Sequence, residues 1–381
     1  MTTPLRAARA AHSRLTSAKR IAVVAKFGYM GDTIVATPFL HRLRLAAPDA
    51  HIDLITSKSG AVAVKNCPWI DRALAVEKGR SSRMGENRAL LRALRSPTCD
   101  VVFLLNRSFR SAAMAVLAGA RLRVGFDNEH RKILLSLPVP YLFDRNELDC
   151  HLDLLRSLGV DCEPELPSIW VTDGEREAAR SVLRRPGTEA LMPDAFVLGM
   201  QPGSNDPAVR AWGVPRYAEA ADTIAADLGA RVVLLGGAAE RQTADQVERA
   251  MKTGCINMVG ELSLRESLAL IGVCTGWIGN DTGLLHAAVA HRVPSVGIFG
   301  PTKVVRWGYN TVKHRSVAVF NGGAAASDIR ECLNAIPVAR VVSELHGAVR
   351  GTIGANSNAV QFVVPQHLGQ GGTKEAAHKR A

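Results

Sequence analysis

Ile21-Ala22-Val23-Val24-Ala25-Lys26-Phe27-Gly28-Tyr29-Met30-Gly31-Asp32-Thr33-Ile34 decides how the chain is read. A short apolar, partly β-branched run gives way to a glycine-bearing turn, and apolar residues then return at helical spacing through Ile34, Leu40 and Leu43. A strand that feeds straight into a helix opens a β-α-β unit. The alternation continues, with Ile52–Thr56, Val101–Leu105, Ala195–Gly199, Arg231–Leu235 and Pro294–Phe299 reading as strands and Thr33–Ala46 and Tyr217–Leu228 as helices. The predicted class is α/β, with parallel sheets wrapped by helices.

At 381 residues the chain exceeds what one hydrophobic core usually serves, which favours two Rossmann-like domains. The stretch Arg184-Arg-Pro-Gly-Thr-Glu-Ala-Leu-Met-Pro193 separates two series of strands and helices. An N-terminal domain is therefore expected over 20–183, a linker over 184–193 and a C-terminal domain over 194–350. Residues 1–19 carry Arg6, Arg9, Arg14 and Lys19 and no acid. They read as a mobile basic arm, with a transit peptide or a membrane-surface helix as alternatives. Residues 351–381 are rich in Gly, Ser, Asn and Gln and read as a disordered tail.

Hydrophobic residues make up 47% and charged residues 22%, an ordinary globular composition. No apolar run approaches the roughly 20 residues that cross a bilayer. The seven cysteines form no C-x-x-C pair, so neither a zinc site nor a disulfide framework is expected, and a cytoplasmic protein fits best. The excess of 47 Lys and Arg over 35 acids is uneven, with thirteen basic residues against five acids between 72 and 132. That half is expected to attract anions, with peripheral contact at the inner face of a membrane as one consequence. Nucleic acid is disfavoured as a partner, because aromatics are only 5% and no recognition motif interleaves them with the basic residues.

Asp32 sits where the first strand turns into a helix. Open α/β sheets bind ligands at the carboxyl ends of their strands, so its carboxylate faces either a cleft or, as an N-cap, the free N–H groups of its own helix. Four later strand-to-helix junctions carry the residues expected of a phosphate or ribose site. They are Gln201-Pro-Gly203-Ser204-Asn205, Gly236-Gly237-Ala-Ala-Glu240, Val259-Gly260-Glu-Leu262-Ser263 and Gly279-Asn280-Asp281-Thr282-Gly283. A helix starting near Thr282 would offer unpaired N–H groups and a positive dipole end to a diphosphate, or would simply be capped by Asp281. Glu240 is placed to accept ribose hydroxyls or to serve as a favourable charge in a first helical turn. Arg210 precedes Trp212 in a loop and suits bidentate phosphate binding, or is a solvated charge. His286 reads more readily as a satisfied helix residue than as a catalyst.

Taken in order, these motifs resemble glycosyltransferase family 9, the ADP-heptose heptosyltransferases of lipopolysaccharide core assembly. The resemblance spans about residues 20–345 and rests on Gly31-Asp32-Thr33 with Thr37-Pro38, Arg123-Val-Gly125-Phe126, Pro202-Gly203-Ser204 and Arg210-Ala-Trp212. It continues through Leu235-Gly236-Gly237 with Glu240, Gly260 with Ser263-Leu264, Gly279 to Gly283 with His286, and Phe299-Gly300-Pro301-Thr302 with Arg306-Trp307. It implies a GT-B fold and inverting transfer without a metal or other cofactor, from a nucleotide-sugar donor, ADP-heptose, held by the C-terminal domain. Asp32 falls on the family's proposed base. Arg210 falls on its phosphate-binding Lys, Glu240 on its ribose carboxylate, and Asp281, Thr282 and Gly283 on its diphosphate loop. Gly203, Ser204, Gly236, Gly237, Leu262, Ser263, Asn280 and His286 complete the expected donor set. Lys26, Gly31, Arg107 and Arg110 are the expected contacts to an anionic glycan or glycolipid acceptor. The chain departs from the family at Arg210, and at Gly213 and Pro215, which replace its Pro and Glu.

An acceptor hydroxyl needs a carboxylate to take its proton in a one-step displacement, and Asp32 is the candidate. Two rivals stand beside transfer. A sugar-nucleotide epimerase would use the same cleft without an acceptor, and a non-catalytic nucleotide-sugar-binding protein would bind without turnover. A dehydrogenase is disfavoured because no G-x-G-x-x-G follows a predicted strand.

Overall fold

An apolar run such as Ile21–Val24 is satisfied in the middle of a sheet covered on both faces, and the strand Arg20–Val24 is buried throughout, Arg20 by pairing with buried Asp53 at 2.6 Å. The computed structural model describes residues 3–76, 83–95, 98–128, 130–184, 195–204, 212–300, 304–318, 333 and 335–351. The first six strands are β1 (Arg20–Val24), β2 (His51–Thr56), β3 (Arg72–Ala75), β4 (Val101–Leu104), β5 (Leu122–Phe126) and β6 (Leu137–Val139). They pair in parallel in the order β3-β2-β1-β4-β5-β6, with Ile21 opposite Ile52 and Val101. The next six are β7 (Val197–Gln201), β8 (Arg231–Leu234), β9 (Ile256–Asn257), β10 (Gly276–Asn280), β11 (Ser295–Phe299) and β12 (His314–Ala318). They form a second parallel sheet in the order β12-β11-β10-β7-β8-β9.

The α/β expectation therefore holds as two six-stranded parallel sheets of the same winding. In each, the chain starts mid-sheet, runs to one edge, and returns to run to the other. The reversal leaves a crevice at the carboxyl ends of β1 and β4, and of β7 and β10. Helices cover both faces. Phe39, Leu40 and Leu43 of the Thr37–Ala46 helix pack on one side of the first sheet, where Phe39 meets Phe103 edge to face at 5.1 Å. Ala112 and Ala115 of the Phe109–Leu117 helix cover the other side with Leu104. Each fully buried Phe or Leu contributes about 1.5–3 kcal/mol.

The helix expected over Thr33–Ala46 is two, Met30–Val35 and Thr37–Ala46, broken at Ala36. Pro38 explains the break: its ring has no N–H and would crowd the Ile34 carbonyl. That carbonyl instead accepts from Thr37 Oγ1 at 2.7 Å. The short first helix is what aims Asp32.

Two expectations about organisation differ from the structure. Residues 1–19, expected as a mobile arm, include a helix over Thr3–Thr16, and Ala11, Leu15 and Ala18 are buried in the core of the first lobe. Those residues recur at spacings of four and three, and His12 Nδ1 bonds the Leu158 carbonyl at 3.0 Å, so packing outweighs the basic composition. The Asp173–Leu183 helix, expected within the first domain, packs through Ala179 and Leu183 with Leu268 and Trp277 of the second lobe. Glu175 also pairs Arg265 at 2.6 Å. The chain thus joins the second lobe before the stretch 184–193, of which only Arg184 lies within the described residues. The expected tail lies outside them beyond Gly351, which ends the Val338–Arg350 helix at φ +64°.

Candidate active site where the two sheets meet

Asp32 occupies the third position of the Met30–Val35 helix, whose N-cap is Tyr29 with no side-chain cap bond. The capping alternative is therefore not realised. The carboxylate is mostly shielded, with 12% side-chain exposure, and its Oδ1 accepts from Lys26 Nζ at 3.0 Å. Next to it Gly31 makes the contact between lobes: a Cβ there would lie 2.8 Å from His286 Cδ2 and 3.3 Å from the Gly283 α-carbon. Gly283 returns the constraint, since its Cβ would lie 2.8 Å from Met30 Cε. The helices that follow β1 and β10 thus touch through paired glycines.

Lys26 Nζ also stands 2.8 Å from Glu147 Oε1 and 4.8 Å over the Trp307 ring of the second lobe. Glu147 is fully buried at the start of the Glu147–Arg156 helix. Its Oε2 accepts from Tyr141 O–H at 2.7 Å and from the Arg306 guanidinium. Burial alone would raise this carboxyl; His151, 3.6 Å away, and the Lys26 ammonium outweigh it and hold the group at about 2. Arg306 and Arg107 each lie 4.5 Å from the Tyr141 ring. Burial, then repulsion from Arg107, press Arg306 down to about 10 against the opposing pull of Asp32. Beside this cluster opens a cleft of about 490 Å³ lined by Lys26, Asp32, Arg107, Arg110 and Trp307 among others. Its size suits a sugar ring or two.

The second lobe contributes a hydrogen-bonded frame at the ends of β7, β8 and β10. Glu240 Oε2 accepts from the Gly237 N–H at 2.7 Å and Oε1 from Gln201 Nε2 at 3.0 Å. Gln201 Oε1 in turn accepts from Thr282 Oγ1. Gly203 lets this carboxylate approach, because a Cβ there would fall 2.6 Å from Glu240 Oε1, and at Gly236 one would fall 2.7 Å from Oε2. Asn280 Nδ2 donates to the Gly203 carbonyl at 2.9 Å and Tyr217 O–H donates to Asn280 Oδ1 at 2.9 Å. The Gly283–Ala290 helix has Thr282 rather than Asp281 as its N-cap and no side-chain cap bond. Its first turn, which follows the end of β10, is therefore left without a side-chain cap, and an uncapped helix N-terminus carries a positive dipole end.

The remaining sequence-derived residues divide. Ser263 caps the Leu264–Ile271 helix, accepting from Glu266 N at 3.3 Å, and Leu262 is half-buried against the core. His286 is buried with Nδ1 2.8 Å from Tyr309 O–H, and burial lowers its pKa against the opposing pull of Asp281 and Asp32. Ser204 is buried beside Gly203. Lys26, expected to meet the acceptor, is engaged by two carboxylates, and Gly31 serves the lobe contact. Arg110 lies 3.5 Å from Glu86 at the cleft. Arg210, Pro301 and Thr302 lie outside the described residues. Sequence reading missed Glu147, Tyr141 and Tyr309; Lys26 and Arg306, which meet Glu147, and His286, which meets Tyr309, are distant from them in the chain. The Arg306-Trp307 pair was the one available signal for them. Among the described residues no three His, Cys, Asp or Glu side chains are grouped so as to hold a metal ion.

The profile of glycosyltransferase family 9 (heptosyltransferase) matches residues 87–335. Lipopolysaccharide heptosyltransferase 2 of Escherichia coli (strain K12) is 26% identical over 338 residues, covering 84% of this chain and 95% of that protein. The glycosyl transferase family 9 from Veillonella parvula DSM 2008 superposes with a TM-score of 0.77 at 24% identity, over 88% of this chain and 98% of its own. The E. coli ADP-heptose lps heptosyltransferase II does so with a TM-score of 0.70 at 23% identity, over 87% and 98%. With two Rossmann-like lobes facing a cleft and this match across most of the length, the chain is a glycosyltransferase and belongs to glycosyltransferase family 9, the heptosyltransferase family.

Proposed function

We propose that the protein transfers a heptose from ADP-heptose onto a hydroxyl of a lipopolysaccharide glycan, in one inverting displacement that needs no metal. The observation that carries this reading is the Asp32 carboxylate at the cleft, beside Gly31 and so next to the amino end of the Gly283–Ala290 helix. In the reaction Asp32 takes the proton of the acceptor hydroxyl as that oxygen attacks the anomeric carbon. The nucleotide diphosphate leaves from the opposite face with growing negative charge. The N–H groups after Thr282 and the guanidinium of Arg210 stabilise that charge. Glu240, held by Gly237 and Gln201, presents its carboxylate to the ribose hydroxyls. Gly203, Ser204, Gly236, Leu262, Ser263, Asn280, Asp281 and His286 line or support the donor side. Arg107 and Arg110 draw the anionic acceptor into the cleft.

The acceptor of such an enzyme is part of a lipid, and the first lobe carries the matching surface. Ile133 is 85% exposed, Tyr29 65% and Phe143 59%, in the segments that follow β5, β1 and β6, and Lys132 and Arg110 of the same lobe are exposed as well. The protein therefore works from the cytoplasm, resting on the inner face of the membrane. Among the described residues no helix is long and apolar enough to cross a membrane.

The test is incubation with ADP-heptose and a heptose-deficient lipopolysaccharide. ADP release that depends on the acceptor, an anomeric configuration inverted in the product, and a rate unaffected by EDTA are expected. Retained configuration, release without acceptor, or loss of rate with chelator would each contradict the corresponding part of the reading.

A further inference from the structure

The fully buried carboxylate of Glu147 stands between the two lobes rather than in the cleft. Its helix is capped by Asn146, whose Oδ1 accepts from Leu148 N at 3.0 Å while its Nδ2 reaches across to the Gly308 carbonyl at 3.2 Å. One oxygen of Glu147 meets Lys26 and the other meets Tyr141 and Arg306. Lys26 and Tyr141 belong to the first lobe and Arg306 to the second. Lys26 is in turn the group that holds Asp32 Oδ1.

We propose that Glu147 is a positioning residue that ties approach of the lobes to the orientation of Asp32, by holding Lys26 and Arg306 in fixed places beside that carboxylate. This rests on the reading of Asp32 as the base. The argument is one of charge balance. Lys26 pairs with Asp32 at 3.0 Å, Arg306 feels the same carboxylate's charge, and Glu147 is the buried carboxylate that both cations contact. With Glu147 neutral, both cations are left facing Asp32 in a partly dry space where Coulomb forces are strong. They would close on its oxygens and occupy the positions an acceptor hydroxyl must reach. With Glu147 ionised, Lys26 is shared between two carboxylates and Arg306 is drawn away towards Tyr141. Because Arg306 and Trp307 come from the second lobe, this arrangement is complete only when the lobes are together. The carboxylate that takes the proton is then set at the moment the donor is brought over the acceptor.

The experiment compares Glu147→Gln, Glu147→Asp, Tyr141→Phe and the double variant Glu147→Gln with Arg306→Gln, each read for kcat, donor KM and melting temperature. Glu147→Gln should lower kcat about 10- to 100-fold, the scale of a misplacement near 1 Å, at unchanged donor KM. Glu147→Asp should recover part of the loss. The double variant should turn over faster than Glu147→Gln alone, because the uncompensated guanidinium is gone, a result that a purely structural role does not produce. Unchanged kcat, a donor KM that rises in step with the fall in kcat, or a double variant no faster than the single one would overturn the proposal. If Glu147→Gln does not fold, Tyr141→Phe decides: a lower kcat at unchanged donor KM supports the link, and wild-type kcat overturns it. Asp32→Ala is measured alongside. If it retains turnover, the base reading itself fails, whereas an inactive Asp32→Ala with wild-type Glu147→Gln removes the positioning role alone.

Discussion

Replacing Gly31 with alanine would set a methyl carbon 2.8 Å from His286 Cδ2 and 3.3 Å from the Gly283 α-carbon, where carbon atoms at rest stand about 3.5–4.0 Å apart. The space must open by roughly 0.7–1.2 Å along the His286 direction. His286 cannot swing aside freely, since it is buried and bonded to Tyr309 O–H at 2.8 Å, and the opposing group at Gly283 is backbone. The strain is therefore relieved by parting the two helices, and with them the lobes. Overpacking of this kind costs about 1–3 kcal/mol, which in a protein of this size lowers the melting temperature by about 1–4 °C. The same displacement moves Asp32 relative to the donor side, and a shift near 1 Å costs up to about 100-fold in turnover. Differential scanning fluorimetry and an ADP-release assay on Gly31→Ala, with Gly28→Ala as control, test both numbers. A Cβ at Gly28 meets nothing within 4 Å, so that variant should melt with the wild type. Wild-type melting and turnover in Gly31→Ala would refute the idea that these glycines set the contact between lobes.

Two further outcomes follow from the site and the core. Glu240→Ala should weaken ADP binding by about 1.5–3 kcal/mol, the scale of hydrogen bonds to a charged group, and an unchanged calorimetric Kd would remove Glu240 from the donor site. Burial holds His314 at about 3 and His291 at about 4, both below the 6.5 of a free imidazole. Because the unfolded chain takes up these protons first, stability is fully present above pH 6.5 and is lost as pH falls from there towards 3–4. Each histidine contributes a slope of up to about 1.4 kcal/mol per pH unit. Urea midpoints between pH 7.5 and 5 should fall accordingly, and less steeply in His314→Gln; equal slopes would contradict the assignment.

The sheets were legible because strands buried on both faces must be apolar along their whole length, as Ile21 to Ala25 and Val101 to Leu105 are. The junctions were legible because a turn into a helix at a strand end needs glycine or a capping side chain. What the pattern could not specify was partner choice. An amphipathic helix such as Asp173–Leu183 carries an apolar face but no mark of which lobe will cover it. The same holds for Thr3–Thr16, where Ala11 and Leu15 do the packing, with Ala18 just beyond the helix. Gly31, expected as an acceptor contact, also leaves room for the helix that starts at Gly283, a close approach that no sequence pattern announces. Glu147 was invisible because a single acid at a helix start is ordinary, and only the fold brings Lys26, Tyr141 and Arg306 to it.

The most direct measurement is turnover and donor affinity of Asp32→Ala, side by side. If Asp32 accepts the proton of the attacking hydroxyl, binding of ADP-heptose stays near the wild-type value while kcat falls at least ~100-fold, the lower range for loss of a general base. A variant that transfers heptose at a rate comparable with the wild type would contradict the account at its centre.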